Sequence, residues 1–138
     1  MNTNSKYIKV EIEDKVAVVT FDRESKLNAI NSDVLKELKD ALLILKRKPL
    51  HELIGVILTG AGEKAFIAGA DIAELASITS TEALEVSRLG QDVSTLLENF
   101  NRPVFAALNG HAMGGGLEMA LSCDFIYMTQ NALLALPE

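Results

Sequence analysis

The N-terminal part of the chain alternates between apolar and polar side chains. Ile8, Val10 and Ile12 are separated by polar residues, a polar turn follows at residues 13–15, and a second apolar-rich run occupies residues 16–21. A period of two on both sides of a short polar turn is typical of a β-hairpin. The sequence therefore predicts that the chain begins with two paired strands.

The pattern changes to a helical period after a polar loop at residues 22–28. Residues 31–33 (Asn-Ser-Asp) are of the types that cap helix N-termini, and apolar residues then recur three or four positions apart. This spacing predicts an amphipathic helix. Its buried face is expected to carry six residues: Val34, Leu35, Leu38, Ala41, Leu42 and Leu45.

Two short runs further along, at residues 53–59 and 104–108, are almost continuously apolar. Runs of this length predict strands that are covered on both faces of a sheet. Between them, the spacing predicts a short helix at residues 71–75 and a longer one that ends at residues 101–103. One face of the longer helix is expected to carry seven apolar residues: Leu84, Val86, Leu89, Val93, Leu96, Leu97 and Phe100.

The last part of the chain continues this alternation. A glycine-rich segment enters an apolar helix that ends at Ser122, and residues 125–128 predict a further strand. Strands that alternate with helices in this way predict an α/β architecture.

The glycine-rich segment is the strongest chemical signal in the sequence. Gly114, Gly115 and Gly116 run directly into the helix that contains Glu118. A helix N-terminus carries unpaired backbone N–H groups, and glycine allows a ligand atom to approach them closely. The pattern predicts a site that stabilises negative charge on a carbonyl oxygen. The alternative is a tight strand-to-helix turn without chemistry, since glycine clusters often serve turns alone.

Glu118 adds a candidate acid or base one turn beyond these glycines. Its neighbours Leu117, Met119, Ala120 and Leu121 are all apolar, so the sequence predicts a carboxylate in apolar surroundings. Such a group is costly to bury unless it has a partner, and it is therefore a candidate functional residue. The alternative is a structural carboxylate with a buried partner.

Residues 60–72 repeat the same theme, because a glycine-rich loop again leads from a predicted strand to a helix. Its backbone is expected to supply a second N–H group to the same oxygen if the two loops meet. An ordinary strand–helix connection is the alternative.

Composition narrows the function classes further. The formal net charge of −6 argues against non-specific binding of nucleic acid. The single cysteine, Cys123, allows no intrachain disulfide and is expected to be a buried small hydrophobe, which favours a reducing, cytoplasmic compartment. No apolar run approaches membrane-spanning length, so no membrane association is expected. His51 and His111 have no neighbours at metal-ligand spacing, so no metal site is predicted.

Six short segments stand in a fixed order along the chain: residues 27–31 (LNAIN), 65–72 (AFIAGADI), 103–110 (PVFAALNG), 114–118 (GGGLE), 123–124 (CD) and 137–138 (PE). Together they resemble the successive motifs of the enoyl-CoA hydratase/isomerase (crotonase) superfamily. The resemblance implies a spiral of repeated ββα units that assembles as a trimer or a dimer of trimers. Because family members continue beyond the second acidic residue, residues 1–138 are expected to be the N-terminal portion of a single crotonase-like domain.

The resemblance also implies roles for individual residues. The backbone N–H groups of Ala70 and Gly115 match the oxyanion hole for a thioester oxygen, and Glu118 and Glu138 match the two acidic residues of hydratases. The segments that match the coenzyme A (CoA) contacts of the family contribute seven residues: Lys26, Leu27, Ala29, Ala68, Gly69, Asp71 and Ile72. Ala135 stands where the family often has glycine.

These assignments predict an enoyl-CoA hydratase that adds water to a 2-trans-enoyl-CoA to give a 3-hydroxyacyl-CoA. CoA is part of the substrate, and no separate cofactor is expected. One alternative is a Δ3,Δ2-enoyl-CoA isomerase, which moves a proton and can work with one carboxylate. Another is a non-catalytic fragment that binds acyl-CoA.

Overall fold

A computed structural model describes residues 5–137 and confirms the predicted α/β architecture. The predicted hairpin is formed by β1 (Ile8–Glu13) and β2 (Val16–Phe21). It is followed by a 3₁₀ turn at Glu24–Lys26 and by helix α1 (Ser32–Lys46). All six residues that the sequence placed on the buried face of α1 are buried.

The remaining elements continue the alternation. They are β3 (Gly55–Gly60), β4 (Ala65–Ile67), α2 (Ile72–Ser77), α3 (Ser80–Glu98), β5 (Val104–Leu108), β6 (His111–Met113), α4 (Gly115–Leu121), β7 (Phe125–Met128) and β8 (Leu134–Ala135). Helix α3 begins at a capping box in which Thr79 and Glu82 exchange side-chain-to-backbone hydrogen bonds, which fixes its first turn.

Five strands form one sheet in the order β1-β2-β3-β5-β7, with β1 antiparallel to β2 and the other pairs parallel. One face of this sheet lies in the hydrophobic core with α1. Phe21 from β2 packs edge to face against Phe66 from β4, with ring centroids 5.6 Å apart, and so links the sheet to the second layer of strands.

The other face of the large sheet contradicts the prediction of strands buried on both faces. Along β3 and β5, residues alternate between fully and partly buried, and every residue of β7 is exposed. The registers align Val18, Ile57, Phe105 and Phe125 across this side, and Tyr127 lies two residues further along β7. These five residues are called the open face below. Nothing within residues 5–137 covers it completely, so its side chains stay accessible to solvent.

The apolar face predicted for the longer helix is also only partly correct. Val93 and Leu97 of α3 are buried, whereas Leu84 is exposed. One side of α3, from Val86 to Glu98, borders a cavity, and Val86 and Leu89 are only partly buried against the core. Helical spacing alone therefore overstated the burial of this face.

A second, smaller sheet was not predicted at all, yet it determines the geometry of the site. Strands β4, β6 and β8 pair in parallel in the order β4-β6-β8. Because parallel strands end at the same edge of a sheet, the glycine-rich loops that follow β4 and β6 leave side by side. Asn109 supports this arrangement by donating to the carbonyls of Gly62 and Ala65 and accepting from the Gly60 N–H.

Candidate active site

The two glycine-rich loops open into one cavity of about 650 Å³. Ala70 from the loop after β4, Gly115 at the start of α4, and Glu118 one turn later all line it. Helix α3 also lines it, with Val86, Ser87, Gly90, Gln91, Ser94, Thr95 and Glu98. The two loops therefore meet in space, as an oxyanion site built from both would require.

The backbone N–H groups of Ala70 and Gly115 are free to act as donors. Within residues 5–137, no oxygen accepts a hydrogen bond from either of them. The neighbouring N–H groups are occupied, because Asp71 donates to the Ile30 carbonyl at 2.8 Å and Gly114 donates to the Ala135 carbonyl at 2.8 Å. Two unpaired donors on the wall of one cavity suit an anionic oxygen.

Glu118 is not buried, which corrects the sequence-based expectation. Its side chain is exposed at the cavity, and the following turn of α4 exposes Leu121 as well. The side of α4 that carries these residues has no covering element within residues 5–137. Apolar neighbours along the sequence were therefore a poor guide to the surroundings of Glu118 in space.

Glu138 lies outside the described residues, so its predicted role stays a prediction. The chain that leads to it is described as far as Pro137. Strand β8 pairs with β6, and the carbonyl of Ala135 accepts the Gly114 N–H next to the Gly115 donor.

A second cavity, of about 490 Å³, contains two of the residues predicted to bind CoA. Leu27 and Ala68 line it together with Met113, Lys64 and His111. Leu27 and Asn28 both have left-handed backbone conformations, with φ of 53° and 57°. These two residues form a tight turn, and Leu27 lines the cavity from this turn.

Asn28 holds this loop in place, a role that sequence reasoning missed. Its buried amide donates to the carbonyls of Ala61 and Ala65, and its oxygen accepts the Arg23 N–H at 3.0 Å. Asparagine tolerates the left-handed region and bonds readily to nearby backbone, so its presence in the polar loop was the available signal.

Arg23 connects the same loop to Asp71. Its guanidinium pairs with the Asp71 carboxylate at 2.8 Å and donates to the Ala29 carbonyl at 3.1 Å. The hydrogen bond from Arg23 is the main cause of a lowered pKa at Asp71. Asp71 also caps α2 by accepting the N–H groups of Ala73 and Glu74. Its contact with CoA stays a prediction.

The remaining predicted CoA contacts are spread around these loops. Lys26 and Ile72 are exposed, and Ala29 is half-buried. Gly69 is buried with a φ of +120°, and its carbonyl accepts the Ile30 N–H at 2.8 Å. This bond ties the loop after β4 to the segment before α1.

Cys123 is half-buried and packs against the core instead of being fully buried as expected. Burial, with a smaller contribution from the charge of Asp124, raises the pKa of its thiol to about 12. The thiol is therefore protonated at neutral pH and is a poor nucleophile. Within residues 5–137, no three His, Cys, Asp or Glu side chains cluster as a metal ion would require. No described helix is both long and apolar enough to cross a bilayer.

Comparison with known proteins decides the family. The family model described as enoyl-CoA hydratase/isomerase matches residues 11–138. The chain belongs to the enoyl-CoA hydratase/isomerase family. This confirms the resemblance that the sequence motifs indicated.

Two curated members of the family are similar over most of this chain. Crotonyl-CoA hydratase of Syntrophomonas wolfei is 45% identical over 129 residues, which are 94% of this chain and 49% of the relative. Short-chain-enoyl-CoA hydratase of Clostridium acetobutylicum is 46% identical over the same shares of both chains. The chain thus spans about half the length of these relatives.

A solved structure confirms the crotonase-like fold. The enoyl-CoA hydratase of Bacillus anthracis superimposes with a TM-score of 0.89 at 35% identity, over 94% of this chain and 50% of that one. The fold of the matched half is therefore shared with a family member.

Proposed function

We propose that the full-length gene product containing this chain is an enoyl-CoA hydratase. The observation that carries the proposal is the first cavity, where the free N–H groups of Ala70 and Gly115 and the carboxylate of Glu118 lie on one wall. Family membership and two relatives named as hydratases support the same reaction.

The proposed chemistry adds water across the double bond of a 2-trans-enoyl thioester. Glu118 orients a water molecule and accepts its proton as the hydroxyl bonds to C3. Glu138 takes part in delivering a proton to C2. The thioester oxygen gains enolate-like negative charge during this step, and the two backbone N–H groups stabilise it. General acid–base catalysis by two carboxyl groups suits a reaction that removes one proton and delivers another.

The CoA part of the substrate is proposed to lie along the loops that bear Lys26, Leu27, Ala29, Ala68, Gly69, Asp71 and Ile72. The second cavity offers space for it beside Leu27 and Ala68. CoA enters as part of the substrate, and no further cofactor takes part. The full-length protein is proposed to assemble in the cytoplasm as a homotrimer or a dimer of trimers.

The test measures crotonyl-CoA hydration by the full-length gene product and by its Glu118→Gln and Glu138→Gln variants. Each variant is expected to lose at least about 10²-fold in turnover, because general acid–base catalysis contributes that much or more. Glu74→Gln is a matched control. Glu74 lines the same cavity, but its oxygens already accept the Ser32 N–H, so turnover should stay near that of the parent protein.

Full hydration activity in Glu118→Gln would contradict the two-acid mechanism. If the parent protein converted 3-enoyl-CoA to 2-enoyl-CoA without hydrating it, the isomerase alternative would replace the hydratase.

A further inference from the structure

His111 takes no part in the proposed chemistry, yet its side chain makes a specific contact beside the site. It begins β6, three residues before Gly114, which caps α4. Its imidazole Nδ1 accepts the backbone N–H of Leu133 at 3.0 Å. An imidazole that accepts at Nδ1 carries its single proton on Nε2, so this contact requires the neutral side chain.

Leu133 is the first of three residues held against β6 and the start of α4. The carbonyl of Leu133 accepts the Ala112 N–H at 3.0 Å, and the carbonyl of Ala135 accepts the Gly114 N–H at 2.8 Å. We call residues 133–135 the strap. Together with the His111 contact, these bonds fasten the strap next to the turn that presents the Gly115 N–H.

Side-chain packing contributes little to holding the strap. Leu133 and Leu134 are 59% and 43% exposed, and β8 itself contains only two residues. Segments with few buried apolar contacts and exposed hydrogen bonds open easily. Each backbone contact of the strap therefore has a large share in fixing its position.

We propose that His111 is a positioning residue for the hydratase reaction. It fixes the register of the strap on β6, and through the bond between Ala135 and Gly114 it fixes the turn that carries the Gly115 donor. The same strap leads within three residues to Glu138. This inference rests on the proposed function, since positioning has a catalytic consequence only if Gly115 and Glu138 act in catalysis.

Two charged and two polar residues share the second cavity with His111. Glu63 and Lys64, both exposed, line the second cavity with His111, as do the polar residues Thr129 and Asn131. The contact at Leu133 therefore depends on an acceptor atom at position 111, which one substitution can remove and another can keep.

The test compares two variants of the full-length gene product. His111→Leu keeps an apolar side chain of moderate size but removes the acceptor. His111→Asn places an amide oxygen where Nδ1 stood and does not ionise. Turnover and KM for crotonyl-CoA, and hydrogen exchange at the Leu133 and Gly114 amides, are measured at neutral pH.

We expect His111→Leu to lose about 10-fold or more in turnover, as small displacements of catalytic groups do, with KM little changed. Its Leu133 amide should exchange faster, while core amides in β2 keep their protection. His111→Asn should restore both turnover and protection.

Parent-like turnover and parent-like Leu133 exchange in His111→Leu would overturn the proposal. So would a His111→Asn variant that behaves like His111→Leu while the β2 amides stay protected in both. If the parent protein hydrates no enoyl-CoA, the proposed function fails, and the catalytic role of His111 falls with it. The exchange data would then still decide whether His111 holds the strap.

Discussion

Single residues explain why three consecutive glycines precede Glu118. Gly114 has a φ of +51°, which L-amino acids with side chains rarely adopt. A Cβ at Gly116 would collide with the carbonyl oxygen of Ile67. At Gly115, in contrast, the nearest atom to an added Cβ is the Ile30 Cδ1 at 4.0 Å. Turn geometry and close packing therefore require two of the glycines, and the middle one is left for the proposed oxyanion contact.

Gly115 is thus the position where the oxyanion donor can be removed with little effect on the fold. Gly115→Pro deletes the N–H at the first position of α4, where proline is tolerated. Turnover in the full-length gene product should fall by about 10²- to 10³-fold, the usual loss for one such donor. Gly115→Ala is the matched control, since it keeps the N–H and has space for its methyl group. A folded Gly115→Pro enzyme with parent-like turnover would contradict the assignment.

Glu118 and Asn28 are two residues whose burial the sequence pattern does not predict. Apolar neighbours predicted burial of Glu118, but one side of the short helix α4 faces the cavity. Asn28 lies in a polar loop, yet it is among the most buried polar residues because its amide bonds to two carbonyls across the fold. The burial of a side chain depends on contacts with residues that are distant in sequence. The local pattern of apolar and polar residues does not show these contacts.

Among the elements, the α-helices and the strands of the large sheet were predicted, whereas the three strands of the small sheet were missed. Helix α1 has its six predicted core residues buried, because fifteen residues repeat one apolar face. Strands β4, β6 and β8 contain three, three and two residues, too few to show a period. The sequence motifs therefore indicated the two loops that line the first cavity, but the small sheet that brings these loops together became visible only in the structure.

One carboxylate fastens the first strand to α1. Glu37 accepts hydrogen bonds from the backbone N–H groups of Lys6, Tyr7 and Ile8 and from the Ser5 hydroxyl. Its partial burial by itself raises the pKa, but these four bonds outweigh burial, and the pKa is lowered. A lowered pKa in the folded state means that ionised Glu37 stabilises the fold above its unfolded pKa. This contribution is lost as the pH falls through the folded value.

Glu37→Gln should therefore lower the free energy of unfolding of the full-length gene product at pH 7, by about 1 kcal/mol. The difference between parent and variant should shrink as the pH falls through the lowered pKa of Glu37 and the parent carboxylate becomes protonated. Denaturant titrations at several pH values measure it, with exposed Glu11→Gln as the control. A Glu37→Gln effect that stayed constant down to the most acidic pH at which the protein folds would show that charge plays no part.

At the scale of the whole molecule, residues 5–137 leave apolar side chains of the large sheet exposed. Phe105 stacks on Phe125 and Tyr127, with ring centroids 5.0 and 6.1 Å apart, yet Phe125 and Tyr127 are 50% and 64% exposed. Strand β7 also forms one edge of the large sheet. The relatives are about twice as long as this chain.

Residues 1–138 expressed alone are expected to self-associate and to show no measurable hydration of crotonyl-CoA. Contiguous exposed apolar surface and an unpaired strand edge both favour association. Catalytic groups also need a rigid supporting shell, and the exposed side of α4 gives Glu118 none. Light scattering, thermal unfolding and a crotonyl-CoA assay on the purified chain measure the outcome. Phe125→Lys combined with Tyr127→Lys should reduce association by placing charges on the open face, without restoring activity. A monodisperse, cooperatively unfolding and active chain would show that the open face and the exposed Glu118 are compatible with catalysis.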